Sequence, residues 1–207
     1  MKKILFILVA LMMCGNLFSQ NIIAHEKDTN GNIFIASNYF IARDFTDRVV
    51  WEFNANLYVS KDPVYDTMKF DFEIGVFFHT LGTKIPVKED GIMLIKLMDN
   101  SVIELNCITK SNKVTGVKIN SFSFGYSTYV SSNNTYSNWA CYSISYNDLQ
   151  RLKVGVKKIR VQTDNGFIEK EYSKDRCGVM LFNSFVKIIK ELQHTAWNST
   201  DKMYENF

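Results

Sequence analysis

Gly155–Tyr172, GVKKIRVQTDNGFIEKEY, carries a strong local sign that this chain folds as antiparallel sheet. Asn165-Gly166 is a strong hairpin signal, because a type I′ turn needs positive φ at both central residues and few residue types accept it. A two-residue turn there pairs Thr163 with Ile168, Gln162 with Glu169, Arg160 with Glu171 and Ile159 with Tyr172. Opposite charges and apolar side chains then face each other, as cross-strand pairing prefers. A loop one residue longer sets Arg160 against Lys170, so the charges favour the shorter turn.

Moving back along the chain, Gly91–Thr109 reads as a second hairpin, GIMLIKLMDNSVIELNCIT. A three-residue loop at Asp99-Asn100-Ser101 faces Leu97 with Ile103, Lys96 with Glu104 and Ile95 with Leu105, and asks Ser101 for a left-handed backbone. The two hairpins share letters: Gly91, Ile95, Asp99-Asn100 and Glu104 align with Gly155, Ile159, Asp164-Asn165 and Glu169 once Thr163 is inserted. One such pair of copies is as readily convergence of two similar hairpins as duplication.

Val49–Ser60 alternates, with Trp51, Phe53, Ala55, Leu57 and Val59 on one face and Glu52, Asn54, Asn56 and Tyr58 on the other. Thr67–Thr80 alternates too, with Met68, Phe70, Phe72, Ile74, Val76 and Phe78 opposite Lys69, Asp71 and Glu73. Such alternation predicts strands with one buried and one wet face, close enough in sequence to form a hairpin. Phe77 falls on the polar face, which places it under a loop or helix. Ile33–Arg43 reads as one or two short strands. Lys113–Tyr129 is a strand region whose phase shifts near Asn120-Ser121, as a bulge would produce. Val130–Asn138 has no periodicity and reads as a polar loop. Trp139–Ser145 returns as strand, and Ser145 caps a short helix near 146–152, with Asp148 in its first turn.

The last element is a helix from about Lys174 to His194. Leu181, Phe182, Phe185, Ile188, Ile189 and Leu192 form its apolar stripe. The fold class expected is α+β, mostly antiparallel β-sheet and sandwich-like, with this long C-terminal amphipathic helix packed on the sheet. One β-rich domain covers 21–195, and 196–207 reads as a frayed tail.

Residues 1–20 read as an export signal peptide. Lys2 and Lys3 start it, and Ile4–Met13 is an unbroken apolar run, shorter than the roughly 20 residues a membrane span needs. Cleavage is expected near Ser19-Gln20. Leu11-Met12-Met13-Cys14 is similar to a lipoprotein signal that would acylate Cys14, but Met13 is bulky where such signals hold a small residue. The leader and layout resemble those of small exported proteins of Gram-negative bacteria, in the periplasm, on the outer membrane or secreted.

The whole chain of 207 residues holds 24 Lys+Arg and 21 Asp+Glu. Without Lys2 and Lys3 the balance is 22 cations to 21 anions, which offers no electrostatic attraction for nucleic acid or anionic membrane. Past the leader no transmembrane segment is expected. Cys107 and Cys141 lie in predicted strands and are the candidate disulfide in an oxidising compartment; three small buried hydrophobes are the competing reading.

No metal or cofactor is expected. His25, His79 and His194 have no partner at ligand spacing, and no Gly-rich phosphate loop or serine-nucleophile motif occurs. His194 is read as sitting in the last helical turn, where it would offset the dipole. Tyr126, Tyr129, Tyr136 and Trp139, interleaved with Ser, Thr and Asn, are the candidate binding residues, since flat apolar rings beside hydroxyls and amides suit glycans or peptides. The function expected is therefore a non-catalytic envelope protein that binds a glycan, a peptide or another envelope protein. The alternative is a secreted hydrolase assembled from distant residues among Asp71, Glu73, His79 and Cys177; carboxylate pairs serve glycoside cleavage, and helix N-termini activate thiols.

Overall fold

The computed structural model describes residues 21–42, 49–62, 67–81, 85–124 and 127–204; side chains are described for these except 50, 81, 111–135 and 195–204. The leader, Cys14 and Tyr126 lie outside the described residues. The strands are β1 (Ile22–Lys27), β2 (Ile33–Ser37), β3 (Phe40–Ile41), β4 (Val50–Lys61), β5 (Met68–Leu81), β6 (Ile92–Leu97), β7 (Val102–Phe124), β8 (Ser127–Ile144), β9 (Val156–Thr163) and β10 (Gly166–Glu171). The helices are α1 (Tyr146–Arg151), a 3₁₀ turn (Leu152–Val154) and α2 (Gly178–Tyr204). The fold is α+β and mostly β. It is one antiparallel sheet in the order β1-β2-β4-β5-β8-β7-β6-β9-β10, with β3 paired to β4, and α2 packs on it against β2 and β4.

The alternation of β4 is realised as expected. Trp51, Phe53, Ala55, Leu57 and Val59 are buried, and Trp51 stacks between Phe78 at 5.2 Å and Phe53 at 6.2 Å. From β5, Ile74, Val76 and Phe78 join this core, but Met68 and Phe70 stand 54% and 49% exposed. Pairing of β5 with β8 begins only at Phe72↔Ile144, so the first turns of β5 run beyond the covered region. Met93, Ile95 and Leu97 of β6, Ile159 and Val161 of β9, Leu149 and Leu152 of the short helical segment, and Leu181, Phe185 and Ile188 of α2 complete one contiguous core. Ser145 caps α1, its Oγ accepting from Asp148 N at 3.1 Å.

Both hairpins form, each shifted by two residues from the expected register. Arg160 faces Glu169, not Glu171, with Nε to Oε2 at 2.7 Å, and Ile159 faces Lys170. Likewise Ile95 faces Ile103 and Leu94 faces Glu104. The cause is the turn type. In each loop a single residue has positive φ, Asn100 at 68° and Gly166 at 119°, so neither Asn165 nor Ser101 takes the left-handed backbone. Shifts of two keep every side chain on its expected face. They also superpose Asn100 on Gly166, which breaks the match of Gly91 with Gly155.

Further differences concern β7, β8 and α2. Val130–Asn138 is strand, its backbone paired to β7 and, from Thr135 onward, to β5. The ladder irregularities of β7 fall at Cys107/Thr109 and Val114/Gly116, not near Asn120-Ser121. The first marks where β7 passes from β6 to β8, and bulges bend a strand where its pairing changes. Helix α2 starts at Gly178 and continues past His194 to Tyr204, so His194 is not in its last turn. Among the described residues, no helix is long and apolar enough to cross a membrane.

Candidate functional site

The face of β4, β5 and β8 that points away from the core assembles the most chemically distinctive cluster. Alternation delivers Glu52, Asn54 and Asn56 from β4, Glu73, Gly75, Phe77 and His79 from β5, and Ser137, Trp139 and Cys141 from β8. The registers set Phe77 beside both Glu52 and Trp139, Gly75 beside Asn54 and Cys141, and His79 beside Ser137.

Tyr39, in the connection between β2 and β3, folds onto this face. Trp139 Nε1 donates to Tyr39 Oη at 3.0 Å, and the Tyr39 ring meets Phe77 edge-on at 6.0 Å. Phe77 meets His79 edge-on at 4.6 Å, and the Ser137 hydroxyl lies 2.9 Å from His79 Nδ1. The Phe77 ring on the polar face, expected to lie under a loop or helix, meets Tyr39 of the β2–β3 connection. Partial burial raises the Tyr39 phenol above its ordinary pKa, against the pull of the Trp139 hydrogen bond, so it stays protonated and keeps an O–H to donate.

Next to the rings along the same face lie two amides. Asn54 and Asn56, expected to be wet, are 4% and 5% exposed. Asn54 Nδ2 donates to Asn56 Oδ1 at 2.9 Å, and Asn56 Nδ2 lies 3.7 Å from Cys141 Sγ. The Asn54 carboxamide lies over Gly75: a Cβ there would sit 2.0 Å from Asn54 Oδ1. That oxygen has no hydrogen-bond partner and rests against the glycine backbone, a contact only a Cα–H can make. Gly75→Ala is therefore expected to destabilise by about 1–3 kcal/mol. Combined with Asn54→Ala it should lose less than the two single losses together, as a urea-unfolding double-mutant cycle would show.

Glu73 borders these amides. Burial pushes its carboxyl above the ordinary range, Asn56 pulls it back by hydrogen bonding, and the nearby Asp71 charge pushes it up again. A raised carboxyl holds its proton longer in the folded chain than in the unfolded one. Its contribution is complete below the unfolded value and is lost as pH rises through the folded value. Glu73→Gln is expected to stabilise the fold at neutral pH and to flatten this part of the stability–pH curve, measured by urea unfolding at successive pH values.

The sequence-derived site residues separate. Trp139 belongs to this face. Tyr136, three positions earlier on the same strand, points to the opposite one with Asn138, Ala140 and Tyr142, because an odd spacing in a strand changes sides. The side chain of Tyr129 lies outside those described. Tyr39, Phe77 and the two asparagines were missed as binding candidates, and Phe77 breaking the polar alternation was the one signal that pointed here.

Cys107, Cys141 and Cys177 are free thiols. Cys107 lies opposite Tyr142 and Cys141 opposite Thr109, so alternation sends the two proposed disulfide partners to different faces. Burial pushes the Cys141 thiol up to about 12. It raises Cys177 well above its ordinary value too, which opposes thiolate formation. Asp71 pairs with Lys69 at 2.9 Å. His79 stands six residues from Glu73 on the same strand, about 20 Å away, and Cys177 is fully buried at the start of α2. Among the described residues, no group of three potential metal ligands converges.

A concavity of about 550 Å³ lies between the start of β1 and α2, lined by Asn21, Ile22, Lys187, Lys190, Glu191 and His194. A hydrogen bond between His25 Nδ1 and Glu191 Oε1, 3.2 Å, ties the two elements beside it. No protein-family model, no curated protein and no solved structure matches this chain.

Proposed function

We propose that this is an exported, non-catalytic envelope protein that binds a glycan laid across the outer face of β4, β5 and β8. The observation that carries the reading is the ring cluster. Tyr39, 37% exposed, and the half-buried Phe77 and Trp139 meet on the sheet face opposite the helix, with the indole held by the Tyr39 hydroxyl. Sugar rings stack their C–H faces on such surfaces while amides, hydroxyls and carboxylates at the margin bind their hydroxyls. Glu52, Glu73, His79 and the exposed Ser143 supply that margin. A ring fixed before binding loses little freedom on binding, which favours affinity. Export is supported by the basic start at Lys2-Lys3 and the apolar run Ile4–Met13.

The test is a printed array of bacterial and host oligosaccharides probed with the mature chain. Wild type is expected to be retained on a defined subset. Trp139→Ala should weaken that retention by about tenfold or more, the effect of losing roughly 1.4 kcal/mol of stacking. Tyr39→Phe, which keeps the ring but removes the acceptor for the indole, should lose less. An array that retains nothing, or a Trp139→Ala protein that binds like wild type, overturns the reading. Mass analysis of the envelope-associated chain should find its N-terminus near Ser19-Gln20.

A further inference from the structure

Past the last pairing of β5 with β8, Leu81↔Thr135, strands β7 and β8 continue alone as a two-stranded arm from Gly116↔Thr135 to Phe124↔Ser127. At the rise of an extended chain the arm is about 30 Å long. Among the described residues, no strand pairs the far edge of β8 before Thr135. A lone two-stranded ribbon is marginal in water, and its open edge is a template for another strand.

The sheet edges of this protein differ in how they guard against such pairing. β1 carries His25, Glu26 and Lys27, and β10 carries Glu169, Lys170 and Glu171. The far edge of β7 past Asn106 carries Lys110, Lys113 and Lys118. Ser127–Thr135, STYVSSNNT, holds no charge and no proline. Charge and proline are the usual devices that blunt an edge, and the Ser127–Thr135 edge carries neither.

We propose that the Ser127–Asn134 edge of β8 pairs antiparallel with the same segment of a second copy of this chain across a two-fold axis. A strand can pair with its own copy in this way because an isologous contact needs only a self-complementary segment. An axis between Val130 and Ser131 sets Val130 against Ser131 of the second copy, Tyr129 against Ser132, Thr128 against Asn133 and Ser127 against Asn134. No like charges oppose each other. The incoming strand lies in line with β5, and the two arms become one four-stranded ribbon, a size at which sheets become self-supporting.

Sedimentation velocity on the mature chain at about 100 µM, above the dissociation constant of a micromolar pair, tests this. Wild type is expected at twice the mass of one chain. The V130K/S131K variant sets lysines against lysines across the axis and should run as a monomer. V130E/S131E should do the same, and an equimolar mixture of the two variants should regain the double mass. Wild type running as a monomer overturns the proposal and leaves the edge to a strand of another protein. A lysine variant that stays dimeric, or a mixture of the two variants that stays monomeric, overturns it as well.

Discussion

Replacing Phe185 with alanine is expected to destabilise the fold by about 3–5 kcal/mol, a large share of the roughly 5–15 kcal/mol that holds a typical domain together. Phe185 is fully buried on the stripe of α2, and its ring meets Phe72 edge-on at 5.9 Å. Its removal leaves a cavity between helix and sheet, bounded by strands whose ladders prevent them from closing it. Val179, on the exposed side of the same helix, is the contrast: Val179→Ala should change stability by less than about 0.5 kcal/mol. Urea unfolding should show the Phe185→Ala midpoint falling with its slope unchanged. Equal effects at the two positions would mean that α2 is not seated on this face.

Asp175→Ala is expected to cost about 2–4 kcal/mol. The Asp175 carboxylate gathers four backbone N–H groups. Oδ1 accepts from Val156 at 2.9 Å, Cys177 at 3.1 Å and Gly178 at 2.7 Å, and Oδ2 accepts from Val179 at 2.9 Å. Three belong to the start of α2, where unpaired N–H groups and the helix dipole favour an anion. The fourth opens β9, so one side chain joins the helix to the sheet. Gly178 completes the joint, since a Cβ there would lie 2.8 Å from Val156 N and 2.9 Å from Leu152 O. Asp175→Asn keeps one acceptor oxygen and should lose less than half as much. Chemical denaturation of the three proteins side by side checks the order.

The alternation of β4 and β5 made the core legible, because period-2 apolar positions report a buried face whatever the neighbouring strands are. The apolar stripe of α2 was legible for the same reason at period 3.6. Hairpin register was not. Arg160 can meet an acid at either Glu169 or Glu171, so charge pairing could not separate two registers that leave every face unchanged. The strand at Val130–Asn138 was hidden because its ladder is supplied by β7 and β5 rather than by an apolar face of its own. That error also placed Tyr136 and Trp139 together, since only a strand forces residues three apart to opposite sides. The burial of Asn54 and Asn56 involves Gly75 and Cys141 on neighbouring strands and Ser37 at the end of β2, pairings that no local pattern encodes.

The glycan reading has a direct structural readout. The ¹H–¹⁵N spectrum of the mature chain, titrated with the oligosaccharide that gives the strongest array signal, reports which side chains feel the ligand. Shifts are expected at the Trp139 indole and the Asn54 and Asn56 amides, with the Trp51 indole and the Asn138 amide of the core face unmoved. Shifts that gather instead at Ile22, Lys187 and Lys190, or that leave Trp139 in place, would contradict the glycan reading.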